Sequence, residues 1–176
     1  MKKMAPKPRI ALVMGSTSDM PQVEPALEIL KDLKIPYTTR VLSAHRTPDA
    51  VREFAKKAHE EEIQVIIACA GAAAHLAGVI ASHTDLPVIG VPMAGTTLGG
   101  LDALFSTVQM PGGVPVATMG IGKAGTKNAV LMAARILALQ DENLAAHLAR
   151  KRENQAARVL ELDAEIRNSE TWTWEG

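Results

Sequence analysis

Short, unbroken runs of apolar residues alternate along the chain with longer segments in which apolar residues recur every three or four positions. Unbroken runs are typical of parallel strands buried on both faces, and the wider spacing is typical of helices that bury one side. The runs predict strands over residues 9–14, 65–70 and 87–91, and residues 37–42 and 114–119 are predicted as the second and fifth strands. The spaced segments predict helices over residues 25–33, 50–61, 73–82, 101–107 and 128–139.

The alternation of strands and helices decides the fold class. Parallel neighbours in a sheet need a crossover connection, and a helix between successive strands supplies it. We therefore expect an α/β fold, with one parallel sheet that carries helices on both faces. The sequence contains no internal repeat that would indicate a different architecture.

The pattern changes near Gln140. The next segment, up to residue 166, is charged and helix-prone, and its apolar positions are too sparse for a core helix: Leu144, Leu148, Val159, Leu162 and Ile166. We expect this helix to lie across the domain or to reach another copy of the chain. Residues 168–176 are predicted to form a tail, in which Trp172 and Trp174 suggest a docking contact. The prediction is a single domain, residues 1–176, with a core of about 9–140 and a helical arm and tail over 141–176.

The overall composition narrows the classes of function. A length of 176 residues suits one domain, and a hydrophobic content of 47% excludes general disorder. Basic and acidic residues number 19 each and aromatics make up 3%. Because nucleic-acid binding usually demands a basic face and stacking rings, we do not expect a nucleic-acid partner. The single cysteine, Cys69, fits a reducing compartment. Because no targeting or membrane-spanning segment is visible, we expect a cytoplasmic protein.

Ligands of open parallel sheets bind beyond the carboxyl ends of the strands, and three predicted strands end in unusual loops. The first loop contains Gly15, Ser16, Ser18 and Asp19. Hydroxyls and free amides at the start of a helix can hold an anion such as phosphate, and the Asp19 carboxylate can accept hydrogen bonds from sugar hydroxyls. In the alternative interpretation, Ser18 or Asp19 only caps the following helix.

The second loop places Ser43, His45 and Arg46 just before Thr47 and Pro48. A guanidinium group suits bidentate contact with phosphate, and an imidazole gives and takes protons near neutral pH. Pro48 suits the first position of a helix. Alternatively, Thr47 caps that helix and Arg46 lies on a solvated surface. We favour the functional interpretation, because a charged His-Arg pair between two buried elements has no use in packing.

The third loop, residues 70–78, consists almost wholly of Ala and Gly. Small side chains let a ligand approach the backbone, and the amides of the following helix can hold a carboxylate or a ring edge. Tight packing of helix, sheet or subunits explains the same residues equally well, and His75 is then an ordinary core histidine with a partner. No His or Cys spacing indicates a metal site, and Cys69 is expected to be an inert buried thiol.

Six stretches of the sequence, taken in order, resemble one family. They are MGSTSD (14–19), SAHRTPD (43–49), AGAAAHLAG (70–78), PVIGVP (87–92), VQMPGGVPVAT (108–118) and IGKAGTKNA (121–129). Through them the chain is similar to the catalytic subunit of the phosphoribosylaminoimidazole carboxylases of de novo purine biosynthesis. The resemblance covers nearly the whole chain up to about residue 139, and SAHRTP together with the GSTSD loop is its most specific part.

The resemblance implies a three-layer α/β/α sandwich with a flavodoxin-like, doubly wound sheet, assembled as a homo-octamer in which a C-terminal helix reaches a neighbour. The family has two branches. The class I branch rearranges N5-carboxyaminoimidazole ribonucleotide into 4-carboxy-5-aminoimidazole ribonucleotide, and the other carboxylates aminoimidazole ribonucleotide with carbon dioxide. Arg46 and the AAHL stretch resemble the first branch, since the second typically has Lys after the His. The class I reaction implies a small nucleotide substrate, no cofactor and no metal.

The resemblance also implies a role for each loop. His45 is the expected proton shuttle, and Ser43 and Arg46 are expected to hold the 5′-phosphate. Substrate contacts are expected at Ser16, Ser18 and Asp19, with Asp19 on the ribose. The base and the migrating carboxylate are expected to lie beside Ala70, Gly71, Ala73, His75 and Leu76. A functional coupling to the synthetase that makes the N5-carboxylated substrate is a further expectation.

Two residues depart from the usual family sequence: Ala72, where Gly is usual, and Ala77, where Pro is usual. Both changes are small, and we expect them to alter the stiffness of the third loop or the room beside the base. Two other classes of protein remain as alternatives. A flavodoxin-type module that binds flavin or nucleotide would use the first loop but has no need for His45. A purely structural oligomer leaves the His-Arg pair unexplained.

Overall fold

The computed structural model describes residues 7–169, which contain five strands and six α-helices. The strands are β1 (Ile10–Met14), β2 (Tyr37–Val41), β3 (Val65–Gly71), β4 (Val88–Met93) and β5 (Ala117–Thr118). The helices are α1 (Met20–Asp32), α2 (Pro48–Lys57), α3 (Leu76–Ala81), α4 (Leu101–Val108), α5 (Gly122–Ala138) and α6 (Glu142–Arg167). A short 3-10 helix, Thr17–Asp19, precedes α1.

The five strands form one sheet in the order β2-β1-β3-β4-β5, and every neighbouring pair is parallel. β1 and β4 are buried along their whole length, as unbroken apolar runs predict. The strand register pairs Met14 with Cys69 and Gly71 with Met93, so the carboxyl ends of β1, β3 and β4 lie side by side. This edge of the sheet therefore carries the loops predicted to bind a ligand.

Helices pack on both faces of the sheet, which confirms the predicted α/β class and its flavodoxin-like strand order. On one face, α2 and α3 share a core cluster with alternate residues of β1 and β3: Val51, Phe54, Ala77, Ile80, Ala11, Val13, Ile66 and Ala68. α1 and α5 contact each other, because the Thr126 hydroxyl of α5 donates a hydrogen bond to the Gln22 carbonyl oxygen of α1 at 2.7 Å.

α1 starts earlier than the apolar spacing predicts. It begins at Met20 rather than at Pro25, because Val23 extends the buried stripe of Ala26 and Leu30 towards the amino terminus. Pro25 therefore lies inside the helix. Proline is tolerated there only at the cost of one backbone hydrogen bond, and burial of the stripe offsets that loss.

α5 and β5 differ from prediction because of glycine and proline. α5 begins at Gly122, six residues before the predicted start. Its first turns contain Gly125, which lies so close to the Gly120 carbonyl oxygen that a side chain there would overlap it. Packing thus requires a residue that lowers helix propensity. β5 keeps only two residues of the predicted six, because Pro115 has no N–H to donate to the sheet.

The contacts within the described chain separate two units, one up to Leu137 and one from Ala138. The second unit consists mainly of α6, 26 residues long, whose first turn is capped by the Asp141 carboxylate accepting a hydrogen bond from the Leu144 N–H at 3.1 Å. Large apolar side chains in its second half are exposed: Val159, Leu160, Leu162 and Ile166. Trp172 and Trp174, with their predicted docking contact, lie outside the described residues. None of the described helices has the length and apolar character needed to cross a lipid bilayer.

Candidate active site

A cavity of about 420 Å³ opens at the carboxyl edge of the sheet, within the size range of small-molecule sites. It is lined by the four loops that follow β1, β2, β3 and β4. All the residues predicted for the site contribute to its wall: Ser16, Ser18, Asp19, Ser43, His45, Arg46, Ala70, Gly71, Ala73, His75 and Leu76. One chain therefore brings together every predicted site residue, and the role of each stays a prediction.

The first loop is shaped by its own serines. Ser16 is extended, with φ of −154°, and its hydroxyl accepts hydrogen bonds from the Ser18 N–H at 3.3 Å and the Ser18 hydroxyl at 2.9 Å. The Gly15 N–H donates to the Cys69 carbonyl oxygen at 3.0 Å, which ties the loop to β3. Asp19 precedes α1, but within the described chain its side chain makes no capping hydrogen bond to that helix. Asp19 therefore does not serve as the side-chain cap of α1.

Asp19 is a partly buried carboxyl at the cavity. Desolvation raises the pKa of Asp19 above its ordinary value, and a hydrogen bond with the Ser16 backbone partly opposes the rise. A carboxylate that has lost part of its water gains from the hydrogen-bond donors that a ligand brings. Beneath it, complete burial raises the pKa of the Cys69 thiol, with a smaller contribution from the Asp19 charge. Cys69 is thus the buried, unreactive thiol that its apolar strand predicts.

The second loop is closed by hydrogen bonds among its own residues. The Thr47 hydroxyl accepts from the Ser43 N–H at 2.9 Å and donates to the Ser43 carbonyl oxygen at 3.1 Å. The Thr47 N–H donates to the same carbonyl oxygen at 2.9 Å. Because the hydroxyl turns back towards Ser43, it makes no side-chain cap to α2 within the described chain. Pro48 is the first residue of α2, as predicted.

Arg46 joins the second loop to the first. Its backbone N–H donates to the Ser43 hydroxyl at 3.2 Å, and its Nε donates to the same oxygen at 3.5 Å. Its Nη2 donates to the Gly15 carbonyl oxygen at 3.3 Å. These partners are all neutral, and no carboxylate of the described chain forms an ion pair with Arg46. The guanidinium charge therefore remains available for an anion in the cavity.

His45 and His75 meet inside the cavity. Nε2 of His45 lies 2.8 Å from Nδ1 of His75, with ring centroids 4.9 Å apart and ring planes at 85°. One ring must donate and the other accept, so the facing nitrogens share one proton. Both rings are exposed, which rules out His75 as a core histidine. Within residues 7–169, no group of three or more His, Cys, Asp or Glu side chains could hold a metal ion.

The third loop turns earlier than the predicted helix allows. β3 ends at Gly71, and Ala72 takes φ of +53°, a left-handed conformation that costs a residue with a Cβ roughly 1–2 kcal/mol. The His75 N–H then donates to the Ala73 carbonyl oxygen at 2.9 Å. α3 consequently begins only at Leu76, three residues after the predicted start. With side chains this small, backbone atoms form much of this wall.

The fourth loop, residues 94–100, is not among the loops predicted from the sequence, although Gly95 and Thr96 line the cavity. The segment AGTTLGG has no charged or imidazole group to mark it. Only its position could have indicated a role in the site, because the loop follows β4, whose carboxyl end lies beside that of β3. Gly15, Ala44 and Ala72 complete the wall beyond the predicted set.

The sequence pattern of one protein family, AIR carboxylase, matches residues 9–158 of the chain. The matched region contains all four loops of the cavity. The chain belongs to the AIR carboxylase family. The family expected from the six motifs is thereby confirmed.

Named relatives of this AIR carboxylase family member extend over nearly the same region. It is 55% identical to the N5-carboxyaminoimidazole ribonucleotide mutase of Bacillus subtilis over 155 residues, 88% of this chain and 96% of that protein. It is 53% identical to the protein of the same name from Thermotoga maritima over 154 residues, 88% of this chain and 89% of that one. The crystal structure of Treponema denticola PurE matches with a TM-score of 0.82 at 30% identity, over 92% of this chain and 99% of that one.

Two positions at which this AIR carboxylase family member departs from the usual sequence have different structural consequences. Ala72 has the positive φ of +53° that Gly adopts without strain, so the departure introduces strain into the third loop. Ala77 is the buried second residue of α3, where Pro would lose no helical hydrogen bond. Ala77 therefore keeps the helix geometry, whereas Ala72 makes its turn less favourable.

Proposed function

We propose that this chain is an N5-carboxyaminoimidazole ribonucleotide mutase of de novo purine biosynthesis. It moves the carboxyl group of its substrate from nitrogen to carbon 4 of the imidazole ring, giving 4-carboxy-5-aminoimidazole ribonucleotide. Relatives that carry this name are 55% and 53% identical to it over 88% of the chain. The single observation that carries the proposal is the His45–His75 contact in the cavity that also presents Arg46 and Asp19.

The substrate binds with its 5′-phosphate on Arg46 and Ser43. Arg46 has a full charge and neutral partners, and its Nε and backbone N–H already converge on the Ser43 hydroxyl. A phosphate replaces these weak contacts with charge-assisted hydrogen bonds. Asp19 accepts hydrogen bonds from the ribose hydroxyls, and Ser16 and Ser18 complete that side of the site.

The base and the migrating carboxylate lie against the third loop. A Cβ added to Gly71 would meet no atom closer than 3.4 Å, so packing does not require glycine at this position. The missing side chain instead leaves room above the strand end for the ligand. Ala70, Ala73, His75 and Leu76 form the rest of this wall. Small side chains and backbone groups thus let the base and the carboxylate approach this wall closely.

His45 is the proton shuttle. In the first step the bond between nitrogen and the carbamate carbon breaks, its electron pair stays on nitrogen, and His45 supplies that nitrogen with a proton. Carbon dioxide and aminoimidazole ribonucleotide remain in the cavity. In the second step carbon 4 forms a bond to carbon dioxide, and the resulting tetrahedral carbon returns its proton to His45. His75 orients the shuttle through the 2.8 Å contact with Nε2 of His45.

Two effects supply most of the acceleration. Proton transfer by a positioned side chain contributes about 10²–10⁴-fold. Retention of both fragments contributes more, because effective molarities in good geometry reach ~10⁵–10⁸ M. No separate activation of carbon dioxide enters these steps, since the substrate itself carries the carboxyl group. The proton balance is also closed, because His45 gives one proton and recovers one.

The enzyme forms a single catalytic domain over residues 1–176 and works in the cytoplasm as a homo-octamer, in which α6 reaches a neighbouring copy. The support is the row of exposed apolar side chains on α6, with Val159 65%, Leu160 68% and Ile166 54% exposed. Apolar patches of this kind usually mark an interaction surface. Because the carbamate of the substrate is labile, a functional coupling to its synthetase shortens the time spent in water.

A two-substrate assay without ATP, biotin or added metal tests the proposed function. One arm supplies N5-carboxyaminoimidazole ribonucleotide, and the other supplies aminoimidazole ribonucleotide with bicarbonate at matched concentration. We expect rapid product formation in the first arm and little in the second. The reverse result would assign the chain to the carbon-dioxide-dependent branch. Turnover in neither arm, with a tightly bound flavin in the purified protein, would favour a flavin-binding module.

A further inference from the structure

We propose that Asp102 is a positioning residue, which holds the fourth loop and its Thr96 wall in place through a hydrogen bond to the Thr96 hydroxyl. Asp102 belongs to the first turn of α4 and lies outside the cavity wall. The inference rests on the mutase function proposed above, because its effect is on how the nucleotide is bound.

The fourth loop leaves the sheet at the end of β4, and its residues 94–99 are all exposed. Thr96 is the centre of its internal hydrogen bonds. The Leu98 N–H donates to the Thr96 hydroxyl at 3.2 Å, and the Gly99 N–H donates to the Thr96 carbonyl oxygen at 3.1 Å. Thr96 therefore sets the course of the middle of the loop.

Partners outside the loop fix its position. The Thr96 hydroxyl donates to Oδ2 of Asp102 at 2.8 Å, and the Gln22 side-chain amide donates to the Ala94 carbonyl oxygen at 2.9 Å. The loop ends at Gly100, whose φ of +92° requires glycine and where an added Cβ would lie 2.6 Å from a methyl group of Ile121. The start and end of the loop are thus fixed by Gln22 and Gly100, and Asp102 fixes its middle.

The hydrogen bond also stabilises Asp102, because the Thr96 hydroxyl is a donor to its carboxylate. Oδ1 of Asp102 is buried and has no hydrogen-bond partner in the described chain, whereas Oδ2 accepts the bond from the Thr96 hydroxyl. Removal of the Thr96 hydroxyl would therefore take away the hydrogen bond to Oδ2 and leave the partly buried Asp102 carboxylate without this donor. Such a loss costs more than the bond itself, because an unsatisfied charged group bears its full desolvation penalty.

The strand order predicts which part of the ligand the fourth loop affects. Arg46 follows β2 and Thr96 follows β4, with β1 and β3 between them. The Arg46 guanidinium reaches back to the Gly15 carbonyl oxygen at the end of β1, so two strand spacings of about 4.8 Å, roughly 10 Å, separate it from the end of β4. A phosphate on Arg46 therefore lies beyond direct reach of Thr96. We expect loss of the Thr96–Asp102 bond to weaken binding of the nucleotide but not binding of a small anion.

Four variants test the proposal in the full-length enzyme: Thr96→Val, Asp102→Ala, the double variant and Asp102→Asn. The measurements are kcat, KM for the nucleotide, inhibition by inorganic phosphate, and the free energy of unfolding. Thr96→Val and Asp102→Ala are each expected to raise KM about tenfold, as loss of a hydrogen bond to a charged group predicts. Phosphate inhibition should stay within twofold of the parent. Asp102→Asn keeps an oxygen that can accept the bond, so it should recover most of the KM. Thr97→Val in the same exposed loop is the matched control.

The double variant separates coupling from two independent effects. Because both single changes remove the same bond, the double variant should have nearly the KM of either one, and it should be more stable than Thr96→Val alone. Multiplicative KM effects, or phosphate inhibition that weakens as much as nucleotide binding, would overturn the proposal. If the parent enzyme does not turn over N5-carboxyaminoimidazole ribonucleotide, the proposed function fails. The free energies of unfolding of the four variants then still show whether the two side chains are coupled.

Discussion

The second and fourth loops form opposite walls of one cavity, and they keep their shapes in different ways. In the second loop the bonds are local: Ser43 and Thr47 exchange three hydrogen bonds across four positions. In the fourth loop, side-chain bonds from other elements hold Ala94 and Thr96, and Gln22 lies 72 positions from Ala94 in the sequence. The bonds between Ser43 and Thr47 come from a recognisable local sequence, whereas the bond from Gln22 to Ala94 has no local signal in the sequence.

The difference also separates two tasks. The second loop carries the proposed proton shuttle, His45, and the proposed anion-binding residue, Arg46, whose positions must be accurate to a fraction of an ångström. The fourth loop contributes Gly95 and Thr96, which shape the cavity but bring no titratable group. Changes in the second loop are therefore expected to reduce the chemical step, and changes in the fourth loop to reduce binding.

The largest effect is expected for His45→Asn, which removes the shuttle and leaves the Ser43–Thr47 bonds of its loop in place. We expect kcat to fall by about 10²–10⁴-fold, while the dissociation constant of the nucleotide changes little. His59→Asn, the same change at an exposed histidine outside the cavity, is the control. Near-normal turnover by His45→Asn would remove the shuttle role from His45.

Asp19→Asn is expected to raise KM about 10- to 100-fold, since hydrogen bonds to a charged group are lost. Although Asp19→Asn weakens substrate binding, it should stabilise the folded protein near neutral pH. Burial raises the pKa of Asp19, so the folded state holds this proton more tightly than the unfolded state. The parent's stability contribution from Asp19 is complete below the unfolded pKa, about 3.9, and is lost as pH rises through the folded value.

Unfolding measured against pH checks that sign. Relative to the parent, Asp19→Asn should become progressively more stable as pH rises from below 4 towards neutrality. An advantage that shrinks with rising pH would mean that hydrogen bonding, not desolvation, dominates at this carboxyl.

Thr47→Val tests whether the second loop is held from within. The variant keeps the shape of the side chain but loses both hydroxyl bonds to Ser43, and we expect kcat/KM to fall about tenfold and stability to fall by about 1–2 kcal/mol. Combination with Asp102→Ala should give additive free energies, because the two loops are held by separate partners. Strong coupling between Thr47 and Asp102 would contradict the distinction between the loops.

The smallest effect is expected at Ala72, where a positive φ of +53° falls on a residue with a Cβ. Ala72→Gly should stabilise the protein by roughly 0.5–1 kcal/mol, the strain relieved less the entropy lost. Lys34→Gly changes another left-handed residue, at φ of +55°, far from the cavity wall, and should give a similar gain without altering KM. A loss of stability in Ala72→Gly would show that the turn is not strained.

Hydrophobic pattern was sufficient for the buried strands β1, β3 and β4, because burial on both faces demands unbroken apolar runs such as the one in β1. It failed where one residue overrides the pattern. Pro115 shortens β5, and Ala72 turns the chain before α3 can begin. Neither effect is visible in periodicity, since each depends on a single backbone conformation.

For the site, local motifs predicted three of the four loops. They did not predict the contact between His45 and His75, which lie 30 positions apart on different loops. They also did not predict Gly95 and Thr96, whose place depends on hydrogen bonds from α1 and α4. Residues that act through distant partners are therefore the part of this site that needs a structure.

The most direct test of the proposed mechanism follows the carboxyl group itself. The enzyme is given N5-carboxyaminoimidazole ribonucleotide labelled with carbon-13 in the carbamate, in buffer containing excess unlabelled bicarbonate, and the product is analysed by mass spectrometry. If the carboxyl group moves within the cavity between the His45 and third-loop walls, most of the product retains the label. A product labelled only to the level of the bicarbonate pool would show that the carbon dioxide comes from solution, and would contradict the account.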